Sequence, residues 1–218
     1  MENVQFDWLT ELNHVQFATK QPNQPVQVIA HPPGWMLLGA GNYAAVLANE
    51  QFSEYVVKIR VYTATEEMRV RQEFDEEVQV YQRIGTHPAF SELFYAEFPY
   101  LVLKKITGKT FLQMIRTGER IHPKHIRAVN EALRYASRKG LHPHDVHIKN
   151  IMISNDQVII ADISDFLKSD YCRLWDDCQR FYWTLYFPII YPFGFKIPET
   201  LLENMKNQYR KIVPYGNR

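Results

Sequence analysis

The stretch Leu141-His142-Pro143-His144-Asp145-Val146-His147-Ile148-Lys149-Asn150 runs into Ile151-Met152-Ile153. A polar turn at Ser154-Asn155-Asp156 follows, then a second apolar run, Val158-Ile159-Ile160-Ala161-Asp162. The pattern reads as loop, strand, turn, strand, because short apolar runs bounded by turn residues are strands and two so close form a hairpin. A hairpin is a rigid support that brings its two flanking loops together. Asp145 and Asn150 at its entrance and Asp162 at its exit therefore share one end. Their side chains are hard oxygen donors of the kind that bind Mg²⁺, and a carboxylate can also accept a proton.

Upstream, Met36-Leu37-Leu38 leads into Gly39-Ala40-Gly41-Asn42-Tyr43-Ala44-Ala45-Val46, and strand-like runs follow at 45–48 and 54–61 about a turn at Asn49-Glu50-Gln51. Glycines at 39 and 41 let a backbone approach a phosphate closely and point amide N–H groups at it, and they equally suit a tight hairpin. A strand directly after them excludes a dinucleotide-binding turn, which needs a helix there. In Tyr55-Val56-Val57-Lys58-Ile59-Arg60 the alternation puts Val56, Lys58 and Arg60 on one face. By itself that describes a half-buried strand with solvated charges.

Residues 63–84 read as a charged helix. Thr63 or Thr65 can cap it, glutamates in the first turn suit its dipole, residues 74, 78 and 81 with Val80 and Ile84 form an apolar stripe, and Gly85 stops it. The first 25 residues are polar and aromatic by turns, with a short amphipathic helix over 6–12 and a breaker at Gln21-Pro22-Asn23-Gln24-Pro25; a strand follows at 26–29. Residues 95–103 give two short β runs broken at Phe98-Pro99. Helices are expected at 110–118, at 122–139 with Pro123 near its start, at 174–186 and at 199–212. The bulky run 181–187 reads as core, and Pro188, Pro192 and Gly194 as breakers.

The chain has 218 residues, a net charge of +1 and 46% hydrophobic residues. That is enough apolar surface for a real core, and the balanced charge gives no argument for a nucleic-acid or anionic-membrane partner. No apolar run is long enough to span a bilayer, and the first residues lack the basic-then-apolar pattern of a secretory signal. Cys172 and Cys178 fit neither a redox nor a zinc spacing and read as ordinary thiols in a reducing cytoplasm.

In order and spacing these segments resemble the protein-kinase-like phosphotransferases over residues 35–180. The resemblance rests on an Asp followed five positions later by Asn and a strand, an Asp at the next strand's exit, a strand lysine, and a glycine loop one hairpin before it. It implies an α+β, bilobal fold. An N-lobe of antiparallel β-sheet plus one helix would span residues 1–105, and a minimal, mainly helical C-lobe residues 106–218. It implies ATP and Mg²⁺, with Mn²⁺ as a substitute, and a hydroxyl acceptor on a protein Ser/Thr or a small molecule. The first reading is a serine/threonine protein kinase. The alternatives are a small-molecule or lipid kinase of the same fold and a nucleotide-binding pseudokinase scaffold.

The resemblance also implies roles. Asp145 would be the base, Lys58 would hold the α- and β-phosphates, Asn150 and Asp162 would hold the metal, and His147 would help neutralise the transferred group. Gly39, Gly41 and Tyr43 would cover the phosphates and Val46 the base. Glu77 would pair with Lys58, with Glu73 and Glu76 as rivals. Leu103 would back the pocket and Lys104 and Ile106 would line the hinge. The chain departs from the family pattern in several places. Ala44 replaces the third glycine, Pro143 replaces the usual His, His147 stands where many relatives carry Lys, and Asp162-Ile163-Ser164 stands for Asp-Phe-Gly, with Asp165 a rival ligand. Asp177, in preference to Asp176, would brace the catalytic loop. There is no Ala-Pro-Glu motif and no room for a long activation segment, as in the RIO kinases, the small kinase of the tRNA-threonylcarbamoyl complex and lipopolysaccharide-type kinases.

Overall fold

The short amphipathic segment expected near the N-terminus is a 3₁₀ helix, Asp7–His14, whose Leu9 and Leu12 are buried. The computed structural model describes residues 6–21, 24–198 and 200–201. In chain order its elements are β1 (Gln16–Phe17), β2 (Val28–Ala30), β3 (Trp35–Ala40), β4 (Ala44–Asn49), β5 (Tyr55–Arg60), α1 (Glu67–Ile84), β6 (Leu93–Glu97) and β7 (Tyr100–Lys104). They continue with β8 (Lys109–Thr110), α2 (Phe111–Thr117), α3 (Pro123–Arg138), β9 (Ile151–Ser154), β10 (Gln157–Ile160), α4 (Leu174–Phe181) and a π-helix over Tyr182–Ile190. Most of the helix expected at 199–212 falls outside the described residues.

Strands β3 to β7 form one antiparallel sheet in the order β3-β4-β5-β7-β6, and β10-β9-β8 form a second. The fold is α+β, with a sheet-based N-lobe and a mainly helical second half. Strand alternation splits the first sheet into two cores. On one face Ala48, Val56, Leu101 and Leu103 pack with α1 and with the helical half. On the other, Ala45, Leu47, Val57, Ile59 and Val102 are covered by Leu9, Leu12, Val15 and Val26 of the N-terminal arm, with Trp35 among them. Trp35 Nε1 donates to Glu11 Oε2 at 2.8 Å, which fixes the arm to the sheet. The featureless N-terminus is therefore half of a core.

Helix α1 begins later than expected, and neither threonine caps it. Instead the Glu66 carboxylate turns back to accept from Thr63 N–H at 3.1 Å and from Thr63 Oγ1 at 3.0 Å. Gly85 ends the helix with φ 64°. Helix α4 does not stop at Tyr186. It widens into the π-helix and carries Pro188 inside it. Proline has no N–H to give, and the wider register tolerates that loss. Tyr182 donates its hydroxyl to Ile121 C=O at 2.9 Å and Tyr186 Oη accepts from Ile121 N–H at 3.0 Å, so both aromatic side chains keep their polar ends paired inside the core.

The β9–β10 hairpin is paired residue for residue, Ile151 with Ile160 and Ser154 with Gln157. Its turn residues Asn155 and Asp156 have φ 48° and 64°, the conformation a tight two-residue hairpin requires. Asp156 is then bound by Lys124 and by His125 Nε2 at 3.0 Å, so the turn is bolted to the start of α3. Strand β8, which propensity does not reveal, pairs Lys109 with Ile153. It can do so because Gly108 lies against β9: a Cβ there would sit 2.1 Å from Ile153 O, at φ 154°. Gly108→Ala is expected to cost about 1–3 kcal/mol, the range for overpacking, and to lower the urea midpoint with an unchanged slope.

Candidate active site

The sheet and the helical half enclose a cleft of about 450 Å³. Its roof is the glycine loop from Gly39 to Ala44 with Val46. Its inner wall is Lys58 and Arg60 of β5 with Glu73 and Glu76 of α1, and its floor is Asp145, Asp162, Ser164, Asp165, Leu167 and Lys168. That volume is within the usual range for small-molecule sites.

Lys58 is the centre. Register places it opposite Val46 on one side and Leu101 on the other, so its side chain shares their face and runs toward α1. Its Nζ donates to Glu77 Oε1 at 2.8 Å and to Asp162 Oδ1 at 3.4 Å. Glu77 is fully buried, while Glu73 is taken by Arg69 and Glu76 accepts from Gln72. Of the three candidate acids, Glu73, Glu76 and Glu77, it is thus Glu77 that meets the lysine. Burial works against the Lys58 ammonium, but Asp162 and Glu77 outweigh it, with Arg60 opposing, and the pKa is raised. The amine is charged at neutral pH.

Asp162 leaves β10 beside that amine. Burial disfavours its charge, yet Lys58 and hydrogen bonds from Ser164 hold the carboxyl at about 2. Its side chain keeps 43% of its surface exposed, so it remains open to the cleft. Ser164 N–H donates to Asp162 Oδ1 at 3.1 Å, and Ile163 behind it is 1% exposed, filling the apolar role expected of it. The rival Asp165 is held by Lys168 at 2.7 Å instead.

Asp145 has φ 54°, a left-handed conformation that costs a non-glycine residue energy. Two side chains hold it there. Cys172 Sγ accepts the Asp145 N–H at 3.4 Å, and Asn150 Nδ2 donates to the Asp145 carbonyl at 3.1 Å. Asn150 is fixed in turn, since its N–H reaches His147 C=O and its own C=O accepts from Ala161 N–H. His147 Nε2 lies 3.7 Å from Asp145 Oδ1. Burial pushes the Asp145 carboxyl above its usual range; His147 pulls the other way, and Asp165 and Asp162 add to the rise.

Several expectations change. The Gly41 N–H is spent on Ala44 C=O, closing the hairpin, and the Gly41 carbonyl accepts from Val26 of the N-terminal arm, so that amide is not offered to a phosphate. Lys104 lies on the exposed surface. Its N–H is taken by Glu92 C=O and its C=O by Ser91 Oγ, so it offers no backbone donor to a base. Asp176 accepts from Tyr171, and among the described residues no hydrogen bond joins Asp176 or Asp177 to the catalytic loop. The link to the loop comes from Cys172 and from His144, whose Nε2 is 3.2 Å from Asp170. Leu103, paired with Val56 of β5 in the sheet, is buried in the core, and neither it nor Ile106 lines the cleft. Tyr43 does line it, with its ring held between Lys20 at 3.9 Å and Arg69 at 4.5 Å.

Sequence reasoning gave no role to Arg60 or Cys172. Arg60 was visible as a same-face neighbour of Lys58, and only the position of Glu77 shows what it does. A thiol accepting a backbone N–H leaves no sequence signal.

The residues fit a nucleotide and Mg²⁺. A Cβ at Gly39 or Gly41 would meet nothing within 4 Å, so the loop leaves open space over the cleft. Among the described residues no three His, Cys, Asp or Glu side chains converge as a metal cage. Mg²⁺ at phosphate sites does not use one: a carboxylate or two, with phosphate and water completing the shell, is its usual setting. Among the described residues no helix is long and apolar enough to cross a membrane.

No protein-family model matches the chain. It is 28% identical over 136 residues to a protein of Bacillus subtilis (strain 168) that bears the name "Putative serine/threonine-protein kinase YrzF". The matched region is 62% of this chain and 62% of that protein, so the chain spans less than two thirds of its relative's length. A crystal structure of the Mycobacterium tuberculosis PknI kinase domain, in a mutant form, aligns with 61% of this chain and 60% of its own at 22% identity and a TM-score of 0.45. Similarity to the curated relative and an antiparallel sheet joined through one charged cleft to a helical half lead to the same place: the chain is similar to members of the protein-kinase-like superfamily.

Proposed function

We propose that this protein is an Mg²⁺- and ATP-dependent phosphotransferase that passes the γ-phosphoryl group to a hydroxyl, and that the acceptor is a protein serine or threonine. One observation carries the reading: the Lys58 amine lies between a fully buried Glu77 and a partly open Asp162 at the wall of a single cleft. Phosphoryl transfer asks a protein mainly for positioning and charge neutralisation. Lys58 supplies the cation for the phosphates. The loop tip at Asn42 and Tyr43, in place of Gly41, offers amides to them. Asp162 and the Asn150 side-chain oxygen hold the metal, which when bound neutralises phosphate charge. Asp145 orients the attacking hydroxyl and accepts its proton, with His147 beside it. The protein-substrate reading draws on the relative's name.

A small-molecule or lipid acceptor is the second reading. The chain passes from Asp162 to α4 at Leu174 without a strand or helix on which a peptide could be laid.

Labelled ATP with Mg²⁺ tests the proposal, scored for transfer to protein and to a metabolite panel from cell extract. Lys58→Met and Asp162→Asn are each expected to lower transfer by about 10²-fold or more, since each removes a preorganised charge. Loss of the Mg²⁺-dependent part of the ATP thermal shift should accompany Asp162→Asn. A wild-type protein that binds nucleotide but transfers nothing would be a scaffold, and the catalytic reading would fall.

The pH profile gives a second check. Protonated Asp145 cannot accept a proton, so kcat should fall as pH drops through its folded-state pKa. Burial has raised that value. The acid limb is therefore expected above the ordinary carboxylate pKa of about 3.9, and a limb at or below it would contradict the assignment.

A further inference from the structure

Glu77 carries one negative charge in a sealed place and is met by two cations. Lys58 Nζ is on Oε1 at 2.8 Å, and Arg60 Nη2 is on Oε2. Both come from β5, two residues apart on one face, and both side chains are largely withdrawn from water, at 11% and 8% exposure. The two cations are not equivalent. Lys58 is shared, with a second carboxylate, Asp162, at 3.4 Å across the cleft. Arg60 has no ion-pair partner besides Glu77 among the described residues, and its Nε has no hydrogen-bond partner there. Its backbone is pinned on both sides: it pairs with Ala44 in the sheet, and its N–H donates to Pro99 C=O at 2.9 Å.

We propose that Arg60 is the fixed partner of Glu77 and a positioning residue for α1, and that it leaves the Lys58 amine free to move to a nucleotide's phosphates. The role given to Lys58 rests on the reading above; the hold on α1 does not. If Lys58 alone neutralised Glu77, its turn toward a phosphate would leave a buried carboxylate unpaired, and α1 would tend to swing out to hydrate it. A second cation on the other carboxylate oxygen removes that penalty. Helix α1 is then held inward before nucleotide arrives and after it leaves, with no separate activating event.

The experiment is hydrogen exchange on the full chain without nucleotide, read at α1 amides 70–84, with α3 amides as the internal control for global destabilisation. Lys58→Met should leave α1 exchange within about twofold of the unaltered chain, because Arg60 still neutralises Glu77. Arg60→Met should speed α1 exchange by about tenfold, with α3 unchanged, because the remaining Lys58 is shared with Asp162 and compensates Glu77 only in part. Arg60→Met combined with Glu77→Gln should restore much of the protection, since no unpaired charge remains. If Arg60→Met does not fold, Arg60→Lys keeps the charge but shortens the reach and should speed α1 exchange by about threefold. The proposal is overturned if Lys58→Met loosens α1 as much as the Arg60 variants do, or if the Arg60 variants leave α1 unchanged. If the order of exchange holds but no variant or parent transfers phosphate, the hold on α1 stands and the phosphotransferase reading fails.

Discussion

Asp145→Asn is expected to lower phosphoryl transfer by about 10²–10⁴-fold, the usual worth of a positioned general base. The substitution is close to isosteric, and the two bonds that fix the residue's left-handed backbone, to Cys172 and Asn150, use main-chain atoms. They survive the change. What is lost is the charge facing His147 at 3.7 Å and the capacity to take a proton. Nucleotide-dependent thermal shift should be nearly unaltered, because Lys58, Asp162 and the glycine loop are untouched. A drop in kcat with an unchanged KM for ATP is the result that supports the assignment. Equal transfer by the variant would show that the acceptor hydroxyl is oriented by some other group.

Glu77→Gln should be the most destabilising single change at the site. It leaves Lys58 and Arg60 side by side, each largely withdrawn from solvent, with one carboxylate fewer. Removing one member of a buried ion cluster costs about 3–5 kcal/mol, because the remaining charges cannot rehydrate. Urea denaturation should show it as a lower midpoint. Glu73→Gln is the control. Its partner Arg69 is 45% exposed, and such surface pairs are worth about 0–1 kcal/mol. Similar losses for both would mean that the buried cluster is better hydrated than its geometry indicates.

Much of the site could be read from the chain because its chemistry sits on short-range patterns. The hairpin at 151–160 declares itself by two apolar runs around a polar turn, and the groups at its ends follow from that. Glu77 stood in a suitable helical register, but Glu73, four residues earlier on the same face, and Glu76 stayed rivals until the buried contact with Lys58 set Glu77 apart. Arg60 was not separable from an ordinary solvated strand charge, because alternation tells which residues share a face but not which face is buried. That depends on where α1 comes to rest, a long-range matter. The hinge assignment at Lys104 failed for a related reason: backbone groups carry no sequence signal, and their occupation by Glu92 and Ser91 is visible only in three dimensions. The helix through Pro188 and the short strand at 109–110 were missed because local propensity argues against the first and is silent on the second.

The arm over 6–21 has a practical consequence for anyone who dissects this molecule. Its side chains shield Ala45, Leu47, Val57 and Ile59 from solvent, and its neighbour Val26 grips the carbonyl of Gly41. A recombinant fragment begun at Trp35, where the first obvious strand invites a cut, would present a bare greasy sheet to the medium. Such a fragment should precipitate on expression, and its silence in an assay would say nothing about chemistry.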